Sequence, residues 1–331
     1  MAHRNAAGRV QATSVEEAVT DQQILDHLER TTLLADGGLE TSLIFGRGID
    51  LPLFAAFPLI ESEDGIAELR RYFEPFLTLA AERGLGYILE APTWRASRKW
   101  ADELGIAPDR LARINHQSIR FLEGLREEFR GKVDPILISG CIGPRDDGHH
   151  PDRLISAEDA QTYHSDQAAV FAESGVDLIS AMTITGVGEA VGIVKAVRDL
   201  GLPVVISFTL ETDGNPPTGE PLGEAISRTD ELTDGGPTFY MVNCAHPTHV
   251  GPAVAGSGGW RERVRGLRCN ASRLSHDELD QAEELNSGDP VDFGIQHRRL
   301  RTSLPNVRVL GGCCGTDRSH VAQLRDAWLA P

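Results

Sequence analysis

Positive charge is scarce in this chain: 32 lysines and arginines stand against 49 aspartates and glutamates, a formal net charge of −17. That balance argues against nucleic acid or an anionic membrane surface as a partner, and it suits a cationic small molecule. Long apolar runs are missing as well. None approaches the roughly 18 residues that a membrane helix needs, so no membrane partner is expected. Residues 1–10 carry charge but no apolar core of a signal peptide, so no secretory signal is expected either. Cysteine is sparse: five in 331 residues do not make a disulfide framework. A reducing cytoplasm is the expected home, and it leaves thiolates available for a metal.

What the chain does have is a regular alternation. Apolar runs of strand length begin at Leu33, Gly86, Pro135, Val176, Pro203, Phe239, Gly266 and Val307. Helical spacing fills the intervals over residues 65–84, 107–129, 157–173, 188–200, 223–230, 250–255, 275–285 and 317–329. Pro75 should kink its helix or mark its start. Eight strands alternating with helices predict an α/β fold, a single (β/α)8 TIM barrel without a second domain. Its usual size of about 250 residues plus insertions suits this length. Closure leaves no unpaired edge, which favours it over an open, doubly wound sheet. Residues 1–22 read as an N-terminal leader, partly disordered, ahead of a barrel over 23–331. A capping-box pattern, Ser14-Val15-Glu16-Glu17, marks a short helix within the leader.

The most informative stretch is Gly311-Gly312-Cys313-Cys314-Gly315, directly after the last apolar run. Neighbouring side chains on a strand point to opposite faces, but flanking glycines let the chain curl. Both sulfurs can then converge. A disulfide between neighbours would be a strained ring, which leaves metal or redox chemistry. Cys244 follows another apolar run, 239–242, at the end of the sixth strand. In a barrel the chemistry collects at those ends, and strands six and eight are separated by one strand. Three cysteines there suggest a catalytic zinc with an open fourth position. Cys141 and Cys269 read as small buried apolar side chains. His246 and His249 flank Cys244 and are weaker ligand candidates, because the three thiols suffice. His149 and His150 read as solvated loop residues.

Three motifs carry a resemblance: Asp36-Gly37-Gly38, Val242-Asn243-Cys244 followed by Pro247, and Gly311-Gly312-Cys313-Cys314-Gly315. They resemble the homocysteine S-methyltransferase family, which includes betaine–homocysteine methyltransferases and the homocysteine-binding module of cobalamin-dependent methionine synthase. The resemblance runs from about Leu33 to the last helix. Partial matches add Thr93-Trp94-Arg95-Ala96-Ser97, Gly140-Cys141-Ile142-Gly143-Pro144 and Ile206-Ser207-Phe208. It implies zinc held by Cys244, Cys313 and Cys314, with the acceptor thiol in the fourth position. The chemistry is sensible, since a free thiol has a pKa near 8.5 and coordination deprotonates it. The sulfur can then take a methyl group from a sulfonium or quaternary ammonium donor. S-methylmethionine, S-adenosylmethionine and betaine are the candidate donors. No cobalamin- or folate-binding region follows the barrel, so a small donor in solution is expected. Homocysteine is the expected acceptor, giving methionine. The partners are thus a small thiol and a methyl donor, with a homo-oligomer left open.

Expected substrate contacts are Asp36, Gly37, Gly38, Glu90, Trp94, Thr183 and Asn243. Asp36 helps hold the amino acid in the family, and the two glycines permit close backbone approach; a turn or N-cap is the structural alternative for Asp36. Asn243 would orient the zinc ligands. Trp94 offers an aromatic wall to a cationic donor. Where many relatives carry a glutamate in a Phe-Glu-Thr stretch, this chain reads Ala181-Met182-Thr183. Glu90 is the expected replacement for that lost ammonium partner. The alternative for Glu90 is an ion pair with Arg95 or Arg98. The loop Asp213-Gly214-Asn215-Pro216-Pro217, with Glu211, is expected to cover the site. Two other readings keep the fold: transfer to a different thiol, or a barrel that binds zinc and thiol without catalysis. Hydrolysis by a zinc-bound water is disfavoured, because an all-thiolate centre is a poor Lewis acid.

Overall fold

A computed structural model describes residues 19–148 and 154–330. The Ser14–Glu17 capping box and the pair His149 and His150 lie outside the described residues. Eight parallel strands close in chain order into one barrel. They are β1 (Leu33–Leu34), β2 (Gly86–Glu90), β3 (Ile136–Ile142), β4 (Leu178–Ile184), β5 (Val204–Thr209), β6 (Phe239–Asn243), β7 (Val264–Cys269) and β8 (Val309–Gly312). The seam is β1 on β8, with Leu33 opposite Val309 and Leu34 opposite Leu310.

Around the barrel run α1 (Asp21–Arg30), α2 (Leu39–Arg47), α3 (Glu63–Arg83), α4 (Arg98–Glu103), α5 (Pro108–Glu128) and α6 (Ala157–Glu173). They are followed by α7 (Val187–Arg198), α8 (Leu222–Thr233), α9 (Pro247–Val254), α10 (His276–Asp280), α11 (Pro290–Leu300) and α12 (Arg318–Leu329). None of the described helices is long and apolar enough to cross a membrane.

Side chains alternate along each strand, so every second residue faces inward. Leu33, Ile88, Leu137, Leu178, Val205, Phe239, Met241 and Val309 thereby form the barrel's interior cluster. Ile24 and Leu28 of α1 belong to the same cluster and are fully buried. The helix starts at Asp21, capped by Thr20 in a reciprocal capping box with Gln23. It therefore crosses the leader boundary expected at residue 22.

Several sequence expectations need correction. The helix placed over 275–285 stops at Asp280, and α11, which was not anticipated, follows it. Its inward positions include Gly294, Gln296 and His297 as well as Phe293 and Leu300. These polar and small residues blur the apolar period. The short helices α2 and α4 were not anticipated either. Pro75 does not start α3, which runs through it. Proline takes away the hydrogen bond to the carbonyl four residues back. Here that carbonyl, Arg71 O, accepts from Arg47 Nη2 at 3.0 Å instead.

Candidate metal and substrate site

The carboxyl ends of the strands enclose a cavity of about 260 Å3. Cys244, Cys313 and Cys314 line it, and so do Asp36, Gly37, Gly38, Glu90, Trp94, Thr183 and Asn243. The structure thus brings all the residues singled out for the site into one place.

The three sulfurs lie within 4.8 Å of one another. A tetrahedral zinc with bonds of about 2.3 Å would hold its thiolates about 3.8 Å apart, so a small contraction would suffice. Local backbone brings them together. Residues 313–316 form a tight turn closed by Thr316 N–H donating to Cys313 O at 3.1 Å. Gly315 sits in it at φ +76°. Gly38 packs so tightly there that a Cβ would fall 2.6 Å from Cys313 O. At Gly37 a Cβ would fall 2.5 Å from Thr316 O. The close approach that these glycines permit in this structure is to the cysteine turn.

Cys244 reaches the pair from β6 through a left-handed backbone, φ +52°. Its carbonyl accepts from Asn270 Nδ2 at 3.0 Å and lies 2.6 Å from His276 Nε2. Thr183, also left-handed at φ +64°, lies beside it, with Oγ1 4.0 Å from Cys244 Sγ. Without metal, hydrogen bonds from the Cys244 and Cys314 side chains hold Cys313 well below the usual thiol range. Cys244 and Cys314 are pushed up in turn. The donor set is soft, clustered and largely shielded, which fits zinc.

His246 does not join the group; its Nδ1 faces Thr248 Oγ1 at 2.7 Å. Cys269 is fully buried and Cys141 nearly so, as expected of packed apolar side chains, though Cys141 also lines the cavity. Asp36 is not a helix cap, since Gly38 holds that position before α2.

Glu90 pairs with neither Arg95 nor Arg98. Its Oε2 accepts from Arg268 Nη1 at 2.7 Å, and Arg268 Nη2 donates to Asp36 Oδ1. Burial pushes the Asp36 carboxyl up to about 6, against the pull of Arg268. Arg268 had not been singled out. The available signal was position: it is an inward-facing residue, two after Gly266, in a strand otherwise dominated by apolar residues.

Trp94 is held by Nε1–H donating to Met182 O at 3.2 Å. The cation near its ring is the chain's own Arg95, 5.0 Å from Trp94 and 4.0 Å from Trp100. Arg95 also donates to Leu53 O and to Asp147 Oδ2. The 211–217 loop does not line the cavity; Glu211 Oε1 instead meets His276 Nδ1 at 3.0 Å. The rim is formed by Phe54, Arg95, Asp147 and Asp280, with Glu40 from the first turn of α2. Burial, then Cys313 and Asp36, push Glu40 up to about 7.

Comparison with known proteins agrees with this geometry. Methionine synthase of Mycobacterium leprae (strain TN) is 22% identical across 96% of this chain, which spans 26% of that protein. Betaine–homocysteine S-methyltransferase 1 of Mus musculus is 27% identical across 50% of this chain, covering 42% of that protein. This chain thus spans less than half the length of either relative. The crystal structure of the homocysteine methyltransferase MmuM from Escherichia coli in its metallated form shares the fold. It has a TM-score of 0.67 and 19% identity, over 91% of this chain and 97% of that one. The family model described as homocysteine S-methyltransferase matches residues 33–328, from the first strand into the last helix, so the chain belongs to the homocysteine S-methyltransferase family.

Proposed function

We propose that this protein is a zinc-dependent S-methyltransferase that moves a methyl group from a small cationic donor to a thiol, with homocysteine as acceptor and methionine as product. The observation that carries this reading is the cluster of three cysteine sulfurs within 4.8 Å of one another in a cavity at the barrel's carboxyl end. Cys244, Cys313 and Cys314 would hold the zinc, which when bound keeps an acceptor sulfur in its thiolate form.

The chain's own residues do the rest. Asn243 fixes the backbone of Thr183, whose hydroxyl lies against the Cys244 sulfur. Asp36 and Glu90 place carboxyl groups in the same cavity as the three sulfurs. The Gly37-Gly38 turn holds the cysteine loop against the first strand. At the rim the carboxyl groups of Glu40, Asp147 and Asp280 outnumber the single Arg95 guanidinium, which favours a donor that carries positive charge. Trp94 walls the same cavity. In the transfer, a sulfur lone pair forms the new S–CH3 bond. The bond from methyl to the sulfonium or ammonium centre breaks, and its electron pair stays with the donor. The donor leaves neutral at that atom, so no general acid is needed, and the thiol proton goes to solvent. Alignment of the two substrates supplies much of the rate. A reducing cytoplasm, where these thiols stay free, suits the reading.

The test is calorimetric titration of zinc-loaded protein with L-homocysteine in two buffers of different ionisation heat. Binding with proton release, abolished in Cys314→Ser, is expected. Binding without methyl transfer from S-methylmethionine, S-adenosylmethionine or betaine would leave a zinc- and thiol-binding barrel in place of an enzyme. No binding would redirect the search to other thiols.

A further inference from the structure

Arg268 is a buried cation, 7% exposed, on the inward face of β7. Its three nitrogens are committed to three other strands or their ends. Nη1 donates to Glu90 Oε2 on β2 at 2.7 Å, Nη2 donates to Asp36 after β1, and Nε donates to Gly312 O on β8 at 3.2 Å. Two carboxylates and one guanidinium leave this cluster with one net negative charge. A buried charge without a counter-charge is costly. The cluster borders the cavity that holds the cysteine sulfurs.

A second observation points the same way. Glu90 Oε1 is buried and has no hydrogen-bond partner, although Oε2 of the same carboxylate is paired. Buried carboxylate oxygens are normally satisfied, because leaving one bare forfeits its hydration. The charge count and the bare oxygen call for the same thing: one cationic hydrogen-bond donor reaching Glu90 from the cavity.

We propose that Arg268 is a positioning residue. By holding Glu90 Oε2 and Asp36 Oδ1 it leaves Glu90 Oε1 as the receptor for the ammonium group of an amino-bearing thiol. This rests on the S-methyltransferase reading above and specifies its acceptor class. With an ammonium bound, the cluster holds two negative and two positive charges. A lysine at 268 would keep the charge but could not fork between two carboxylates while also bonding Gly312 O.

The experiment compares two thiols on zinc-loaded protein by calorimetry: L-homocysteine and 4-mercaptobutanoate, which has the same thiol and carboxylate but no amino group. Wild-type protein should prefer homocysteine by about 30-fold, the scale of one charge-assisted hydrogen bond. In Glu90→Gln the preference should fall below about 3-fold, with zinc content and 4-mercaptobutanoate affinity unchanged. Arg268→Lys should lose the preference too, although the cluster's charge is kept. Should that variant not fold, Glu90→Gln, which keeps the Arg268–Asp36 pair, carries the test alone. A general structural role would weaken both thiols alike and leave their ratio intact. Equal affinity for the two thiols in wild type, or a preference that survives Glu90→Gln or Arg268→Lys, overturns the proposal. Failure of wild type to bind either thiol overturns the amino-bearing acceptor, and this inference with it, while leaving transfer to another thiol open to test.

Discussion

Asn243 holds Thr183 from both sides of its amide. Thr183 N–H donates to Asn243 Oδ1 at 2.9 Å, and Asn243 Nδ2 donates to Thr183 Oγ1 at 2.8 Å. Ser207 Oγ donates to the same Oδ1 at 2.7 Å. A β-branched residue at φ +64° is strained. Such strain costs on the order of 1–3 kcal/mol and persists only where the surroundings enforce it. The enforced geometry sets Thr183 beside Cys244.

Asn243→Ala should therefore act on the metal site as well as on the fold. We expect a stability loss of about 2–4 kcal/mol from the buried groups left unpaired. Zinc affinity should fall about 10- to 100-fold, the usual effect of removing an outer-shell partner. Urea titration and competition with a chromophoric chelator measure the two. Unchanged zinc affinity would mean that Asn243 serves the strand end alone.

Cys314→Ser should leave the barrel folded and strip it of metal. Elemental analysis after reconstitution should fall from about one zinc per chain to well under half. Far-ultraviolet circular dichroism should not change. Full occupancy in the variant would rule out the three-thiol site.

Arg268→Met should be among the more costly single substitutions in the chain. It leaves Asp36 and Glu90 buried side by side without their shared cation, a loss of about 3–5 kcal/mol. The loss should shrink as pH falls toward the Asp36 value of about 6, because without the pull of Arg268 that carboxyl takes up its proton at a still higher pH. Denaturant unfolding at several pH values reads this directly. A pH-independent loss would show that packing alone is involved.

Glu40 gives a prediction of the opposite sign. Its carboxyl, ordinarily near 4.5, is pushed up to about 7. The folded state therefore binds its proton more tightly than the unfolded state. Zinc-free protein should lose stability from this group as pH rises from 4.5 to about 7. Glu40→Gln should flatten that slope, matching wild type near the acid end and exceeding it at alkaline pH. A variant whose stability parallels wild type throughout would contradict the assignment.

The strand order and the three zinc-ligand candidates were legible because each rests on local chemistry. Short apolar runs ending at Gly, Asn or Cys mark strand ends, and the barrel's regularity then says which ends meet. The β4 strand was misplaced by two residues, expected over 176–182 and found at Leu178–Ile184. Asp177 stays outside because it pairs with Arg126 at 2.9 Å, and the far end extends through the irregularity at Thr183. Arg268 escaped notice for a different reason. One of two arginines in a short strand, it shows its importance only when its partners, 178 and 232 residues away, are known. Arg95 likewise looked like an ion-pair candidate for Glu90. Only the folded arrangement shows it against Trp94 and Trp100.

The seam between β1 and β8 sets when the metal site can exist. Leu33 pairs with Val309 across nearly the whole described chain. Cys313 and Cys314 come just beyond that pairing, while Cys244 follows β6 directly. During synthesis the first seven strands are therefore made before two of the three thiols. Metal capture by the full triplet would then be a late event, coupled to the joining of the chain's first and last strands. Metal occupancy would then report that the barrel has closed.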